Sequence, residues 1–262
     1  MSEGFQFKQF YVRHDRCAMK VGTDGVLLGA LLTLPEEESR IAGRGRDPLS
    51  EGQLEGEGVP AGPTILDIGC GTGLIALMLA QRSPDARITA IDIDPDAAAQ
   101  AADNFAASPW AGRLTALCGD VRELATDSRY DVIACNPPFY THSPGASTAG
   151  RDKARRADTL AYEELAEAAS RLLADSGHLE VILPYDQTDR FIHHSWLCGL
   201  HLERRIDIRT KPSKPFKRTV LRFCKNKSQA LEPTPLNFQL FNADGTPTDE
   251  YRTLTADFYI KL

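Results

Sequence analysis

The sequence contains no Cys-x-x-Cys pair, no uninterrupted apolar run of membrane-spanning length and no Gly-x-Gly-x-x-Gly fingerprint. The first absence argues against a zinc ribbon. Its six cysteines read as reduced, small apolar residues, two of them (Cys118 and Cys135) in apolar runs, rather than as a metal site or disulfide framework. The second absence, with an N-terminus (MSEGFQFKQF) that has no apolar core of a signal segment, leads us to expect a soluble, cytoplasmic chain that neither crosses nor sits on a membrane. The third speaks against a dinucleotide enzyme such as an NAD-linked dehydrogenase. No internal repeat is visible.

The 262 residues are enough for one large domain, and 42% hydrophobic residues support a real core. A net charge of −6 does not by itself point to nucleic acid, but it is unevenly spread. Residues 36–58 carry seven acids and three arginines, whereas residues 209–227 carry eight basic side chains and no acid.

Three regions are expected. Residues 1–35 form an N-terminal block: FQFKQFYV reads as a short strand or hairpin piece. The run from Asp24 has the apolar density of a buried helix, with Thr23 or Asp24 as its N-cap. Residues 36–62, rich in Gly, Glu and Pro without an apolar period, read as a loosely held insertion. From residue 63 to 262, short apolar runs alternate with helical patterns (TILDIG then LIALMLAQR, RITAIDI then PDAAAQAADNFAAS). That alternation implies βαβ units, hence an α/β, Rossmann-like, doubly wound, mostly parallel sheet. Strand-like pieces after Leu202 (ERRIDIRT, FKRTVLRFCK, LNFQLFN, DFYIK) predict antiparallel strands at the sheet edge.

The first strand of this alternation ends in Asp67-Ile68-Gly69-Cys70-Gly71-Thr72-Gly73. Glycines at a strand-to-helix turn let the backbone approach a ligand. An acid at that mouth repels a pyrophosphate but accepts from an ammonium, which favours a ligand with an amino-acid end. The second strand ends at Asp92, which can take both hydroxyls of a ribose, while Asp94 with Pro95 starts the next helix. The third ends at Asp120, placed to accept from an adenine amino group or, almost equally, to cap the following turn.

The fourth strand runs into Asn136-Pro137-Pro138-Phe139. Two prolines stiffen the turn and free carbonyl oxygens to face a site. An exocyclic or amide nitrogen has its lone pair delocalised into a π-system and is a poor nucleophile. The Asn136 oxygen and the Pro137 carbonyl can both accept from such an NH₂, holding the nitrogen as it becomes tetrahedral in attacking a methyl group. Phe139 can stack on the planar group. Among the basic residues, Lys211, Lys214, Lys217 and Arg218 suit a phosphate backbone, and Arg151 and Lys153 can flank the strand carrying the target. A lysine-guarded edge strand is the plainer reading of the same charges.

The glycine loop, the acids at Asp92 and Asp120 and the Asn136–Phe139 turn resemble the class I N-methyltransferases. The run from Phe10 to Ala30, with Lys20, Gly22, Thr23 and Asp24, resembles the bacterial tRNA1(Val) (adenine(37)-N6)-methyltransferase family more narrowly, over nearly the whole chain. The 36–62 stretch departs from that family's compact connection. The resemblance implies S-adenosyl-L-methionine as cofactor, held by Asp67, Gly69, Gly71, Gly73, Asp92 and Asp120, with Lys20, Thr23 and Asp24 over its methionine end. It implies Asn136, Pro137, Pro138 and Phe139 at the target base, adenine 37 of a tRNA. Apart from the resemblance, we expect no metal and a monomer. Two rival enzymes share the turn: glutamine methyltransferases of release factors, usually with Tyr in place of Phe139, and guanine-N2 methyltransferases of ribosomal RNA. A non-catalytic RNA-binding module that kept the fold is a third reading.

Overall fold

The structure, a computed structural model, describes residues 3–35, 37, 62–125, 127–137, 160–226 and 233–261. The predicted 36–62 insertion lies outside the described residues apart from its two members Glu37 and Gly62. Glu37 is held: both its carboxylate oxygens accept from the Arg82 guanidinium, at 2.7 and 2.8 Å.

The chain opens with a hairpin of β1 (Gly4–Gln6) and β2 (Tyr11–Arg13), antiparallel. Helix α1 (Thr23–Leu31) follows. Its N-cap is Gly22 in extended backbone, with no side-chain cap bond, and not Thr23 or Asp24. Residues Gly25–Ala30 are all buried, so this helix is enclosed on nearly every side. Gly25 and Gly29, one turn apart, permit that enclosure. A Cβ on Gly29 would come within 2.8 Å of the Met78 sulfur, and one on Gly25 within 3.1 Å of Leu74.

Then come β3 (Thr64–Ile68), α2 (Leu74–Arg82), β4 (Arg87–Asp92), α3 (Pro95–Ala106), β5 (Leu114–Cys118) and β6 (Tyr130–Cys135). After them run α4 (Tyr162–Leu172), β7 (Leu173–Pro184), α5 (Thr188–Leu197), β8 (His201–Arg209), β9 (Arg218–Cys224), β10 (Leu236–Gln239) and α6 (Asp249–Thr255). Asp94 caps α3, accepting from the Asp96 amide, with Pro95 at the first helical position as its sequence predicts.

Eight strands form one sheet in the order β10-β8-β9-β7-β6-β3-β4-β5. All neighbours are parallel except those of β9, which runs antiparallel to both β7 and β8. The antiparallel pairing expected near the C-terminus is therefore present, but inside the sheet; the edge strand β10 is parallel to β8. The period-two burial of the strands divides the core in two. Ile65, Ile88, Val132, Ile182 and Val220 face α1 and α2, while Leu66, Ile133, Leu179, Val181 and Leu221 face α4 and α5.

The last expected strand, DFYIK, is instead a turn after α6. Its apolar spacing serves the N-terminal hairpin. The Lys8 amide donates to the Phe258 carbonyl at 2.8 Å, and the Tyr259 ring stacks on Phe7 at 5.9 Å. Cys118, read from sequence as part of an apolar run, is exposed at the end of β5.

Candidate active site at the carboxyl edge of the sheet

The order reverses at β3, whose two neighbours are β4 and β6. Ligands of such sheets bind in the crevice outside the strand ends at that point. A cavity of about 220 Å³ lies there, walled by Ile68, Gly69 and Gly71 after β3 and by Asp92 to Asp94 after β4. Gly119 to Arg122 after β5, with Cys135 and Pro137 after β6, complete the strand-end walls.

Gly69, Gly71 and Gly73 all have positive φ, at 67°, 52° and 77°. Their uses differ. A Cβ on Gly69 or Gly71 would meet nothing within 4 Å, so these two leave the cradle open. A Cβ on Gly73 would lie 2.5 Å from the Phe105 ring, so this glycine serves the approach of α3.

Asp67 does not line the cavity. It is fully buried between Ala90 and Ala134 of the adjacent strands. Its Oδ2 accepts weakly from the Ala76 amide of α2 at 3.3 Å, and its Oδ1 has no partner among the described residues. Burial pushes its carboxyl up to about 7, against the hydrogen bond from Ala76 and reinforced by the charge of Asp92. The folded value thus exceeds the unfolded one, so its contribution to stability is complete below the unfolded pKa and lost as pH rises through 7. The melting temperature of the free protein should fall between pH 5 and pH 8.5, and Asp67→Asn should flatten that fall. Parallel curves for the two proteins would remove Asp67 as the cause.

Asp92 accepts from the Gly71 amide at 2.8 Å and from the Asp94 amide at 3.0 Å. An ionised carboxylate has about four acceptor positions, so two remain for hydroxyls. Asp120 also lines the cavity, yet Arg122 already engages it. The guanidinium Nε donates to both carboxylate oxygens at 2.9 and 2.8 Å, and the Arg122 amide donates to Oδ1 at 2.9 Å. The side-chain hydrogen bond from Arg122 holds this carboxyl below its ordinary range. The turn role that the sequence left open for Asp120 is therefore observed. Arg122 reaches on to Glu164 at 2.9 Å, tying the β5 loop to the start of α4.

Asn136 is placed directly after β6, with its Oδ1 buried and without a partner among the described residues. Pro137 lines the cavity. Pro138, Phe139, Arg151 and Lys153 lie outside the described residues.

The N-terminal block reaches the cavity through Cys17, Ala18 and Met19, not through Lys20, Thr23 or Asp24. Asp24 instead accepts from Arg218 Nε at 2.7 Å, so this arginine, read from sequence as a phosphate ligand, is committed to the N-terminal block. Two side chains of α3 hold the block down. Asn104 accepts from the Arg13 amide and donates to the Arg13 carbonyl, both at 2.9 Å, and Gln100 accepts from the Arg16 amide at 3.0 Å. Both are buried. Sequence reading passed over them, although two amides one turn apart on the buried Ala97–Ala98–Ala101–Phe105 side of a helix were a signal. Cys17 and Cys70 sit near the same acids. Burial pushes the Cys17 thiol up to about 11 and raises Cys70 further, so neither is a thiolate at neutral pH.

Lys214 and Lys217 are exposed in the loop between β8 and β9, and Lys211 is half-buried. Strand β9 begins where β7 ends, with Pro184 opposite Arg218, so this loop shares the sheet edge with Asn136.

Residues 54–192 match the family described as methyltransferase small domain. A protein of Bacteroides fragilis named tRNA1(Val) (adenine(37)-N6)-methyltransferase is 41% identical over 261 residues, covering 98% of each chain. A protein of the same name from Yersinia enterocolitica is 37% identical over 260 residues, covering 98% of this chain and 92% of its own. Among solved structures, one described as a predicted O-methyltransferase from Agrobacterium tumefaciens superposes with a TM-score of 0.58 at 16% identity. It covers 90% of this chain and 96% of that one, a likeness of fold.

Proposed function

The chain belongs to the tRNA1(Val) (adenine(37)-N6)-methyltransferase family, and on that premise we propose how its own residues methylate N6 of adenine 37 in tRNA1(Val) with S-adenosyl-L-methionine. The observation that carries the assignment of roles is the orphaned, buried Asn136 oxygen beside the glycine cradle.

Gly69 and Gly71 form the floor against which the cofactor lies, and Asp92 takes its ribose hydroxyls with the acceptor positions its two amide bonds leave over. Asp67, which does not itself line the cavity, offers an unpaired oxygen beneath the loop for the ammonium end through water. The residues present fit this ligand: the cradle is open where a Cβ would stand, and the unpaired acceptor matches a cation. Asp120 faces the adenine end, where an amino donor competes with Arg122. The N-terminal block through residue 35 roofs the site with Cys17 to Met19, while Lys20 and Thr23 stay exposed beside it and outside the cavity lining. Bound S-adenosyl-L-methionine supplies an electrophilic methyl group on a sulfonium.

The Asn136 oxygen and the Pro137 carbonyl accept the two hydrogens of the adenine amino group. They orient its lone pair toward the cradle and favour the tetrahedral nitrogen of the transition state. No strong base is needed before transfer, because the nitrogen becomes acidic only once methylated. By sequence alone, Pro138 and Phe139 are assigned to the flipped base, with Phe139 to stack on it, and Arg151 and Lys153 to its strand. A tRNA substrate places the reaction in the cytoplasm, and the enzyme acts as a monomer.

The deciding experiment incubates the protein with labelled S-adenosyl-L-methionine and unmodified tRNA, ribosomal RNA or release factor, then identifies the product. N6-methyladenosine at position 37 of valine tRNA is expected; N2-methylguanosine or methylglutamine would replace this reading by a rival. Lys211, Lys214 and Lys217 are assigned to phosphates. Replacing Lys214 and Lys217 by alanine should make the slope of log affinity against log salt shallower by roughly 0.7–0.9 for each phosphate no longer neutralised. An unchanged slope would take the phosphates away from them.

A further inference from the structure

Beyond the strand ends that build the cavity, the same edge carries a cluster of planar groups that the reaction does not use. Tyr185 follows β7 directly, and its ring meets Phe216 at 5.5 Å with 30° between planes. The Arg205 guanidinium lies 5.5 Å from the Tyr185 centroid, and that of Arg209 lies 5.6 Å from the Phe216 centroid. Arg205 is fixed by Asp207 at 2.8 Å. Arg209 keeps a buried Nε without a partner among the described residues. The cluster is fastened to the sheet by main-chain bonds from the Tyr185 amide to the Lys217 carbonyl and from the Lys217 amide to the Ile208 carbonyl. Yet the Tyr185 side is not sealed: this residue is 37% exposed.

Its position relative to the target base follows from register. Cys135 pairs with Val181. Asn136 is one residue past that rung and Tyr185 is four. The offset is three residues along a neighbouring strand, on the order of 11 Å when strand rise and strand spacing are combined. A nucleotide or two spans that distance. The neighbouring Lys214 and Lys217 are exposed cations on the loop that carries Phe216.

We propose that Tyr185 and Phe216, with Arg205 and Arg209, form a stacking shelf for an unpaired RNA base next to the adenine that Asn136 receives. This rests on the tRNA reading above and names a second contact of that substrate. Unpaired bases are bound by stacking on aromatic rings and on guanidinium planes, with cations on the backbone alongside, and all three are present here. The amphipathic Tyr185 ring suits this use, since it exposes a π-face without leaving a large apolar patch.

The test uses the full-length protein and an anticodon stem-loop RNA with 2-aminopurine beside the target adenine. Wild-type protein should change the probe's fluorescence on binding. Tyr185→Ala should raise the Kd for this RNA roughly 5- to 150-fold, the range for removal of one base–aromatic stack. The salt slope and the affinity for S-adenosyl-L-methionine should both stay put. Tyr185→Phe should restore binding and the fluorescence change. Tyr185→Leu separates stacking from filling of space: it keeps an apolar side chain but no π-face, and should bind like the alanine variant. Tyr185→Leu or Phe216→Ala binding within twofold of wild type, with the fluorescence change retained, would overturn the shelf. A wild-type protein that methylates no adenine in tRNA would instead overturn the reading on which the shelf rests.

Discussion

Replacing Asn136 with alanine should lower kcat for methyl transfer by roughly 10²–10³, the loss typical when one pre-organised polar group that stabilises a transition state is removed. The Kd for S-adenosyl-L-methionine should hardly move, because Asn136 is not among the residues walling the cofactor cavity. Its Oδ1 is buried and unpaired among the described residues. A buried acceptor without a donor costs about 1–3 kcal/mol of folding stability. Asn136→Ala removes that cost, so its melting temperature should be equal to or above that of wild type while activity collapses. This opposition separates a catalytic role from a structural one, for which both quantities would fall. A kcat within tenfold of wild type would sink the assignment.

Asp92→Ala should act on the other substrate. The carboxylate holds the Gly71 amide and the Asp94 amide, so it shapes the glycine loop, and the proposed function gives it the ribose as well. Hydrogen bonds to charged groups contribute about 1.5–3 kcal/mol each. Without the ribose hydrogen bonds, and with a loosened loop, cofactor binding should weaken by roughly 10²-fold or more. Asp92→Asn keeps one acceptor oxygen and should fall between. Calorimetric titration with S-adenosyl-L-methionine measures this directly, and a Kd within threefold of wild type for the alanine variant would remove Asp92 from the site.

The elements that sequence made legible are those where local chemistry and tertiary role agree. Asp94-Pro95 starts α3 because a cap and a fixed φ suit that position whatever packs nearby. The three loop glycines are needed because no other residue takes three positive φ angles in five positions cheaply. The strands were visible as short apolar runs because both faces of the sheet are buried. What sequence could not give were contacts between distant segments. Asp24 looks like a helix cap or a cofactor ligand until Arg218, 194 positions away, is seen to hold it. Asp120 offers an acceptor until Arg122 is seen to fill it. The Gln100 and Asn104 clamps required knowing that α3 lies under the N-terminal block. DFYIK has a strand's spacing, but its Tyr259 packs on the Phe5 and Phe7 rings of the hairpin and, among the described residues, the segment pairs with no strand of the sheet.

The seam between Phe7 and Tyr259 has a bearing on the order of folding. The ring that the hairpin stacks on and the carbonyl that receives the Lys8 amide stand some 250 positions further along the chain. Contacts of such long sequence separation form late. Folding is therefore expected to pair β3 with the nearby β4, and so set the glycine loop, before the roof that bears Cys17 to Met19 gains this support.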